Sequence, residues 1–256
     1  MDRSIEFDKF GVEKKFPDLD GGMALFQDDS NAGFEESFEK HGYASIPDVK
    51  ILRKTFAFNK IKLRPDHEVT IYVFLPRLNP EYGSHEDVGR CSSGSGLSIK
   101  LRGSKHPKQK DDPKSAKCYI FHYEFEGGSC NNFQKEYPHP RYSKYDLAEE
   151  NEFPEWIGKV MGFKVATLNT QDNKGVEFWA WFDPSAKITD GQLAIENKWL
   201  LRYHGIDSGQ YGENKNKRKT KGPFLECFGK LVEFRMDNAD EATRCFFASA
   251  REVKRS

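Results

Sequence analysis

Short runs of alternating apolar and polar residues recur along this chain, each of strand length and each bounded by turn-forming residues. They occupy residues 69–75, 97–101, 118–126, 160–169, 175–183, 199–203, 231–236 and 245–253. Helical spacing is nearly absent: only residues 34–42, with Phe34 and Phe38 four apart and Gly42 at the end, predict a short helix. The pattern predicts an all-β fold, an antiparallel β-sandwich with at most one or two short helices.

The N-terminal part of the chain differs from the rest. Residues 1–60 contain few strand patterns and several turn signals, including Gly21-Gly22 and Asp28-Asp29. We therefore expect residues 1–60 to form an irregular arm that wraps the sandwich, and residues 61–256 to form the sandwich domain. Within that domain, Asn173-Lys174-Gly175 predicts a hairpin turn between two strands, because Asn and Gly accept positive φ.

The charge balance limits the kinds of partner. The chain of 256 residues has 40 basic and 40 acidic side chains, so its formal net charge is zero. We expect no nucleic-acid partner, and no apolar run reaches the roughly 20 residues of a membrane span. Basic residues concentrate in two polar segments, 104–117 and 214–221. These are either ordinary solvated loops or, if they share one rim, a surface that attracts an acidic polysaccharide.

The cysteines and the start of the chain bear on the compartment. The five cysteines lack any Cys-x-x-Cys spacing, which argues against a structural zinc site, and their odd number leaves at least one thiol unpaired within the chain. Cys118 and Cys130 flank one predicted strand and could bridge, although buried free thiols are the commoner outcome in a reducing compartment. No basic region followed by an apolar stretch opens the chain, so we expect no signal peptide in it.

Residues 176–183, Val-Glu-Phe-Trp-Ala-Trp-Phe-Asp, show the most informative alternation. A strand here places four residues on each face: Val176, Phe178, Ala180 and Phe182 on one, and Glu177, Trp179, Trp181 and Asp183 on the other. Indole rings beside carboxylates offer flat apolar area to the C–H faces of a sugar and acceptors to its hydroxyls. The alternative is an inner strand covered on both faces, in which the tryptophans fill core. We expect Glu177, Trp179 and Trp181 to contact substrate.

The densest set of reactive side chains lies between residues 118 and 145. A strand over residues 118–126 places His122, Glu124 and Glu126 on a polar face, opposite an aromatic face of Tyr119, Phe121, Tyr123 and Phe125. We expect Glu124 and Glu126 to contact substrate. The residues that follow add four candidates for catalysis: Lys135, His139, Arg141 and Tyr142.

These side chains are the groups that β-elimination across a uronate requires. Lys135 or Arg141 would clamp the carboxylate. His139 or His122 would remove the α-proton, and Tyr142 would protonate the leaving oxygen. The structural alternatives are a turn cap for His139 between two prolines, a hydrogen bond to a carboxylate for His122, and packing beneath the loop for Tyr142.

Two adjoining segments resemble a known family. They are similar to the strand pair of concanavalin A-like jelly-roll proteins. The first segment runs from Glu155-Trp156-Ile157-Gly158 through residues 162–169, Gly-Phe-Lys-Val-Ala-Thr-Leu-Asn, and the second is residues 175–183. This group includes polysaccharide lyases of the alginate and glucuronan lyase type. Phe163-Lys164 and Asn169 stand where alginate lyases carry Phe-Lys and Tyr-Asn, and the similarity extends loosely from about residue 69 to residues 248–253. The resemblance implies a concanavalin-like fold and an extracellular location.

The resemblance has a clear departure. Leu168 occupies the position of the alginate lyase catalytic tyrosine, and the Gln-Ile-His and Arg-rich strand motifs of those enzymes have no clean match, so their catalytic residues are not carried over. A second set resembles a pattern in members of the group that have no assigned reaction: Gly83-Ser84-His85, Cys91, Lys135-Glu136, His139 and Tyr142. It implies that these positions are functional, with His85 as a substrate contact.

Three functions remain as hypotheses. The first is a polysaccharide lyase that cleaves a uronic-acid-containing polysaccharide by β-elimination and requires no cofactor. The second is a non-catalytic carbohydrate-binding jelly roll that holds a glycan with Trp179 and Trp181. The third is a glycoside hydrolase with Glu124 and Glu126 about 7 Å apart on one strand face, although the Glu-x-Asp-x-x-Glu pattern of jelly-roll glucanases is absent. Oxygen ligands at residues 237–241 also allow a structural calcium ion.

Overall fold

The computed structural model describes residues 23–27, 44–45, 51–58, 66–77, 96–103, 117–124, 132–136, 142–145, 152–190, 192–209, 231–237 and 243–252. All regular secondary structure in these segments is β-strand. The helix predicted at residues 34–42 lies outside them. The strands are β1 Met23–Gln27, β2 Ala44–Ser45, β3 Ile51–Phe58, β4 His67–Leu75, β5 Gly96–Gly103, β6 Cys118–Glu124, β7 Asn132–Glu136, β8 Tyr142–Tyr145, β9 Lys159–Asn169, β10 Val176–Asp183, β11 Lys187–Thr189, β12 Gln192–Ala194, β13 Leu200–Asp207, β14 Leu231–Asp237 and β15 Arg244–Glu252.

The strands form two antiparallel sheets and one separate hairpin. The first sheet has the order β1-β3-β14-β5-β6-β7-β8, the second has the order β13-β10-β9-β4-β15-β2, and β11 pairs with β12. The chain crosses between the sheets repeatedly, since β3 and β5 belong to the first sheet and β4 to the second. All eight strands predicted from alternation are present. The prediction of an all-β antiparallel sandwich is confirmed. Among the described residues, no helix is long and apolar enough to cross a membrane.

The described parts of the predicted N-terminal arm are strands. β1 pairs with β3 in the first sheet, and β2 pairs with β15 in the second. Alternation does not identify β3, because Arg53-Lys54 interrupts the apolar pattern of its sequence. The division of the chain into arm and domain at residue 60 stays a prediction.

Aromatic side chains fill the space between the two sheets. The Phe178 ring of β10 stacks on Phe133 of β7, with 4.0 Å between ring centroids. Tyr119 and Phe121 of β6 contact the same ring from 6.2 and 5.9 Å. Phe178, Tyr119 and Phe121 come from the apolar faces that alternation predicts, and all four rings are nearly or fully buried. The inner face of β10 is therefore fixed against the first sheet.

A buried arginine also joins the sheets. Arg102 of β5 adopts a φ of 53°, which an ordinary residue seldom does. Its side chain donates from Nε to Thr167 Oγ1 at 3.1 Å and from Nη1 to Asn169 Oδ1 at 2.6 Å, both on β9. Asp66 accepts from Arg102 Nη2 at 3.5 Å and from the Asn169 backbone N–H at 2.6 Å. The buried guanidinium is thus paired and hydrogen-bonded, as burial of a charge requires.

The hairpin of β11 and β12 covers one end of the outer face of the second sheet. Ile188, Leu193 and Trp199 pack on Tyr72 and Val160 there. The Tyr72 ring crosses over Gly162, where a Cβ atom would lie 2.5 Å from the ring. Its hydroxyl donates to Asp183 Oδ2 at 3.2 Å. The hairpin therefore covers this end of the sheet.

The central position of Phe178 leads to a testable prediction. The substitution Phe178→Ala removes the ring shared by three inter-sheet contacts and leaves a cavity, so we expect a loss of about 3–5 kcal/mol in the free energy of unfolding. Denaturant unfolding measures this loss. Leu200→Ala at a position 40% exposed is the control and should change the free energy far less. A small loss for Phe178→Ala would show that the sheets do not depend on this ring.

Candidate functional site

Three strands build a partly covered aromatic surface on the outer side of the second sheet. Strand pairing places Trp179 of β10 between Ala166 of β9 and His204 of β13. Ala166, Leu168 and Trp179 form a buried cluster, and the partly exposed Trp181 and Leu201 pack against it. We name the surface formed by Glu177, Trp179, Trp181, Leu201 and His204 the Trp–His face.

His204 is held on this face by two contacts. Its Nε2 atom lies 2.9 Å from Oε1 of Glu177 and shares a hydrogen bond with it. Its ring stacks almost parallel on Trp179, with 5.1 Å between centroids and 11° between planes. The His204 side chain keeps 41% of its exposure and the Glu177 side chain 10%. The imidazole is therefore fixed in orientation while it faces solvent.

A bulge in the edge strand explains how Leu201 and His204 share a face. Residues three apart on a regular strand point to opposite sides of the sheet. The pairing of β10 with β13 shifts register between Ala180 and Trp181, so that Tyr203 opposes Ala180 whereas Leu201 opposes Trp181. Arg202 is the extra residue, and its guanidinium lies 4.9 Å from the Tyr203 ring centroid. The bulge thus extends the Trp–His face along β13.

Lys164 marks the border between the Trp–His face and the hairpin. Its residue opposes Trp181 on β10, and its Nζ atom lies 4.0 Å from the centroid of the Trp199 ring, a cation–π contact. Lys164 is only 1% exposed. The ammonium group therefore faces the covered end of the sheet.

The predicted faces of β10 are confirmed, and the exposure of its two tryptophans differs. Trp179 is 6% exposed and supports the His204 ring, whereas Trp181 remains partly exposed. Asp183, predicted on the same face, lies fully buried at the opposite end of β10 and accepts from Tyr72 and Ser185. Whether Glu177, Trp179 and Trp181 contact substrate stays a prediction.

The structure separates two of the residues proposed for β-elimination. On β6, the side chains of Tyr119, Phe121 and Tyr123 face the second sheet, so the intervening His122 faces away from it. His122 Nδ1 lies 2.8 Å from Ser98 Oγ and shares a hydrogen bond with it. Lys135 of β7 pairs in register with Tyr119 and faces the second sheet. Lys135 and His122 therefore lie on opposite sides of the first sheet, and one substrate molecule cannot contact both.

Lys135 belongs to a buried polar cluster between the sheets. Its Nζ donates to Asp207 Oδ2 at 2.7 Å, and the Tyr119 hydroxyl donates to the same oxygen at 2.7 Å. The backbone N–H of Gly209 donates to Asp207 Oδ1 at 2.9 Å. Burial lowers the pKa of Lys135 below its ordinary value, and the Asp207 carboxylate opposes that shift. The cluster anchors the end of β13 to the first sheet.

For the remaining candidate residues, a role in the site stays a prediction. His85, Glu126, His139 and Arg141 lie outside the described residues. Tyr142 begins β8, where its backbone pairs with Glu136, and Glu124 ends β6. For the hydrolase hypothesis, Glu126 lies outside the described residues, so the pair of Glu124 and Glu126 stays a prediction.

Cys118 and the acidic segment after β14 bear on the predictions of disulfides and calcium. Cys118 is not in a disulfide, and its Sγ donates to Glu136 Oε2 at 3.2 Å. Cys130 lies outside the described residues. Asp237 ends β14, and residues 238–241 are also outside. In the described part of the chain, no group of three or more His, Cys, Asp or Glu side chains is placed to hold a metal ion. Calcium stays a prediction.

Sequence reasoning did not identify His204 and Leu201 as site residues. Alternation predicts a strand that ends at Tyr203, and β13 continues to Asp207. The sequence has no signal for the partner strand or for the bulge, and both are needed to place His204 beside Trp179. Tertiary pairing, rather than a local motif, assembles the face.

Comparison with known proteins gives lectin-like sandwiches of low similarity. No protein-family model and no curated protein matches the sequence. Among solved structures, a legume lectin-like domain from Entamoeba histolytica shares 11% identity over 93% of this chain and 90% of that chain, with a TM-score of 0.40. A Lotus tetragonolobus seed lectin shares 8% over 93% and 96%, with a TM-score of 0.42. The VIP36 exoplasmic/lumenal domain in its Ca²⁺/Man₃GlcNAc-bound form shares 9% over 91% and 84%, with a TM-score of 0.41. These values are too low to support any functional inference.

The buried pair of Lys135 and Asp207 gives a second prediction. Asp207→Asn or Lys135→Met leaves the partner charge buried without a counterion, so each should lower the free energy of unfolding by about 3–5 kcal/mol. Lys187→Met is the matched control. Lys187 is 72% exposed in its pair with Glu196, and exposed ion pairs contribute little. Single variants as stable as the wild type would contradict an anchoring role for the pair.

Proposed function

We propose that this protein binds carbohydrate on the Trp–His face. The observation that carries the proposal is the His204–Glu177 pair, seated on Trp179 beside the partly exposed Trp181. Solvated sheet faces rarely keep aromatic area at the surface without a ligand or partner to cover it. Ile206 of the same edge strand is 42% exposed and, two residues from His204, extends the apolar area on this face.

The chemistry of the face suits a sugar ring. A pyranose presents apolar C–H groups on its faces and hydroxyls around its rim. The Trp181 ring offers flat apolar area to the C–H groups of one sugar unit. Glu177 lies four residues away on β10, about 13 Å, so its carboxylate and the His204 imidazole are placed to bond the hydroxyls of a neighbouring unit. The stack on Trp179 and the hydrogen bond to Glu177 already fix the His204 ring, so binding a sugar costs little side-chain entropy at this residue.

Cleavage of an acidic polysaccharide by a lyase mechanism stays a prediction from the sequence. The candidate bases and clamps are either outside the described residues, as His139 and Arg141 are, or separated by the first sheet, as His122 and Lys135 are. Binding through the Trp–His face requires none of these groups. The contacts of the described residues therefore support binding at the Trp–His face.

Removal of Trp181 tests the proposal. We expect Trp181→Ala to weaken the affinity for a bound glycan at least tenfold, because it deletes the exposed aromatic contact, and Trp181→Phe to retain part of the affinity. Calorimetric titration with hexaoses of β-1,4-glucan, β-1,4-mannan, β-1,3-glucan and β-1,4-glucuronan measures the change.

Lys198→Ala, an exposed position of the segment that follows the hairpin, is the control and should bind as the wild type does. Ultraviolet absorbance and reducing ends are followed in the same samples, and neither should rise. Unchanged affinity in Trp181→Ala would contradict binding at this face. A rise in absorbance on the glucuronan would instead establish β-elimination.

A further inference from the structure

We infer that the Trp–His face, extended by Ile206, holds three consecutive units of a linear glycan that runs along β10 and β13. This inference rests on the proposed function and names the class of ligand that the same face takes, which is a segment of a chain rather than a single sugar. The observation behind it is the shape of the open surface, which is longer along the strands than across them.

Strand pairing arranges the face in three rows, each with one residue of β10 and one of β13. The rows are Trp181 with Leu201, Trp179 with His204, and Glu177 with Ile206. Successive rows are two residues apart on β10, so the two outer rows lie about 13 Å from each other. Partly exposed apolar side chains stand in both outer rows, Trp181 in one and Ile206 in the other.

In the described part of the chain, the rows are bounded on three sides. Toward β9, the partners of the three β10 residues are at most 1% exposed: Leu168, Ala166 and Lys164. Beyond Trp181, Asp183 is fully buried and accepts from the Tyr72 hydroxyl, and Trp199 packs on the Tyr72 ring. At the other end, β10 begins one residue before Glu177. The open surface is therefore a strip two strands wide, about 5 Å between strand axes, and three rows long.

A linear glycan matches the dimensions of this strip. A pyranose ring closes six single bonds of about 1.5 Å, so one unit with its linking oxygen adds about 5 Å to a chain. A single sugar therefore covers one row, whereas three units bring contacts to both outer rows. In that position one end unit stacks on Trp181 and the other covers Ile206. The unit between them offers its hydroxyls to the pair of His204 and Glu177.

A series of chain lengths tests this inference. Calorimetric titration uses the monosaccharide and the oligosaccharides of two, three, four and six units of each of the four glycans named above. For a glycan that binds, we expect the affinity to rise about tenfold with each unit up to three, because the first unit already bears the cost of lost translational freedom. From three units to six the gain should not exceed about fourfold, since a hexaose contains four overlapping trisaccharides.

The substitution Ile206→Ser tests the row farthest from Trp181. It removes apolar contact area from the third unit, so we expect the affinity for the trisaccharide and longer chains to fall about fivefold and the affinity for the monosaccharide to stay unchanged. Leu200→Ser is the matched control. Leu200 lies on the same strand and is 40% exposed, but it opposes the inward-facing Phe182 and so points to the other side of the sheet. This variant should bind every length as the wild type does.

A monosaccharide that binds as tightly as the trisaccharide, with binding still weakened in Trp181→Ala, would overturn this inference and leave the proposed function intact. An unchanged trisaccharide affinity in Ile206→Ser would also overturn it, as would a gain well above fourfold between three units and six. Binding of no sugar of any length would overturn the proposed function and this inference together.

Discussion

The packing of Phe178 between the two sheets is the contact on which the rest of the structure depends. Its stack on Phe133 fixes the inner face of β10. Successive side chains of a strand point to opposite faces, so fixing Phe178 inward also fixes Trp179 and Trp181 outward. The Trp–His face is therefore a consequence of the core. A substitution that loosens the core should disturb the site even though no site residue is changed.

Polar contacts between the sheets hold the end of β13 in place. Asp207 ends β13 and is held by Lys135 and Tyr119 of the first sheet. His204 stands three residues earlier on the same edge strand, so this anchor limits how far the imidazole can move from Trp179. Lys135 thus supports the site from the opposite side of the second sheet. A buried ion pair of this kind contributes more to a defined geometry than to net stability.

The fold was predictable from the sequence to a greater extent than the site. Strands with clear alternation, such as β9 and β10, appear where the pattern places them, and Asn173 has the positive φ expected of the hairpin turn. Short or interrupted strands such as β3, β7 and β8 have too little periodicity to be recognised. The orientation of Trp179 and Trp181 follows from alternation alone. The position of His204 does not, because it depends on the partner of β10 and on a bulge. The grouping of Lys135 with His122 fails for a related reason, since closeness in sequence does not give the side of the sheet.

The central claim is that glycans bind at the Trp–His face, and the four tryptophans of the chain allow one direct test. Each indole N–H gives its own signal in a ¹H–¹⁵N spectrum, and Trp156, fully buried in the core, is an internal control. During titration with the tightest-binding hexaose, the account predicts saturable shifts of the Trp181 and Trp179 signals and a constant Trp156 signal. Saturable binding that leaves Trp179 and Trp181 unshifted would contradict the account.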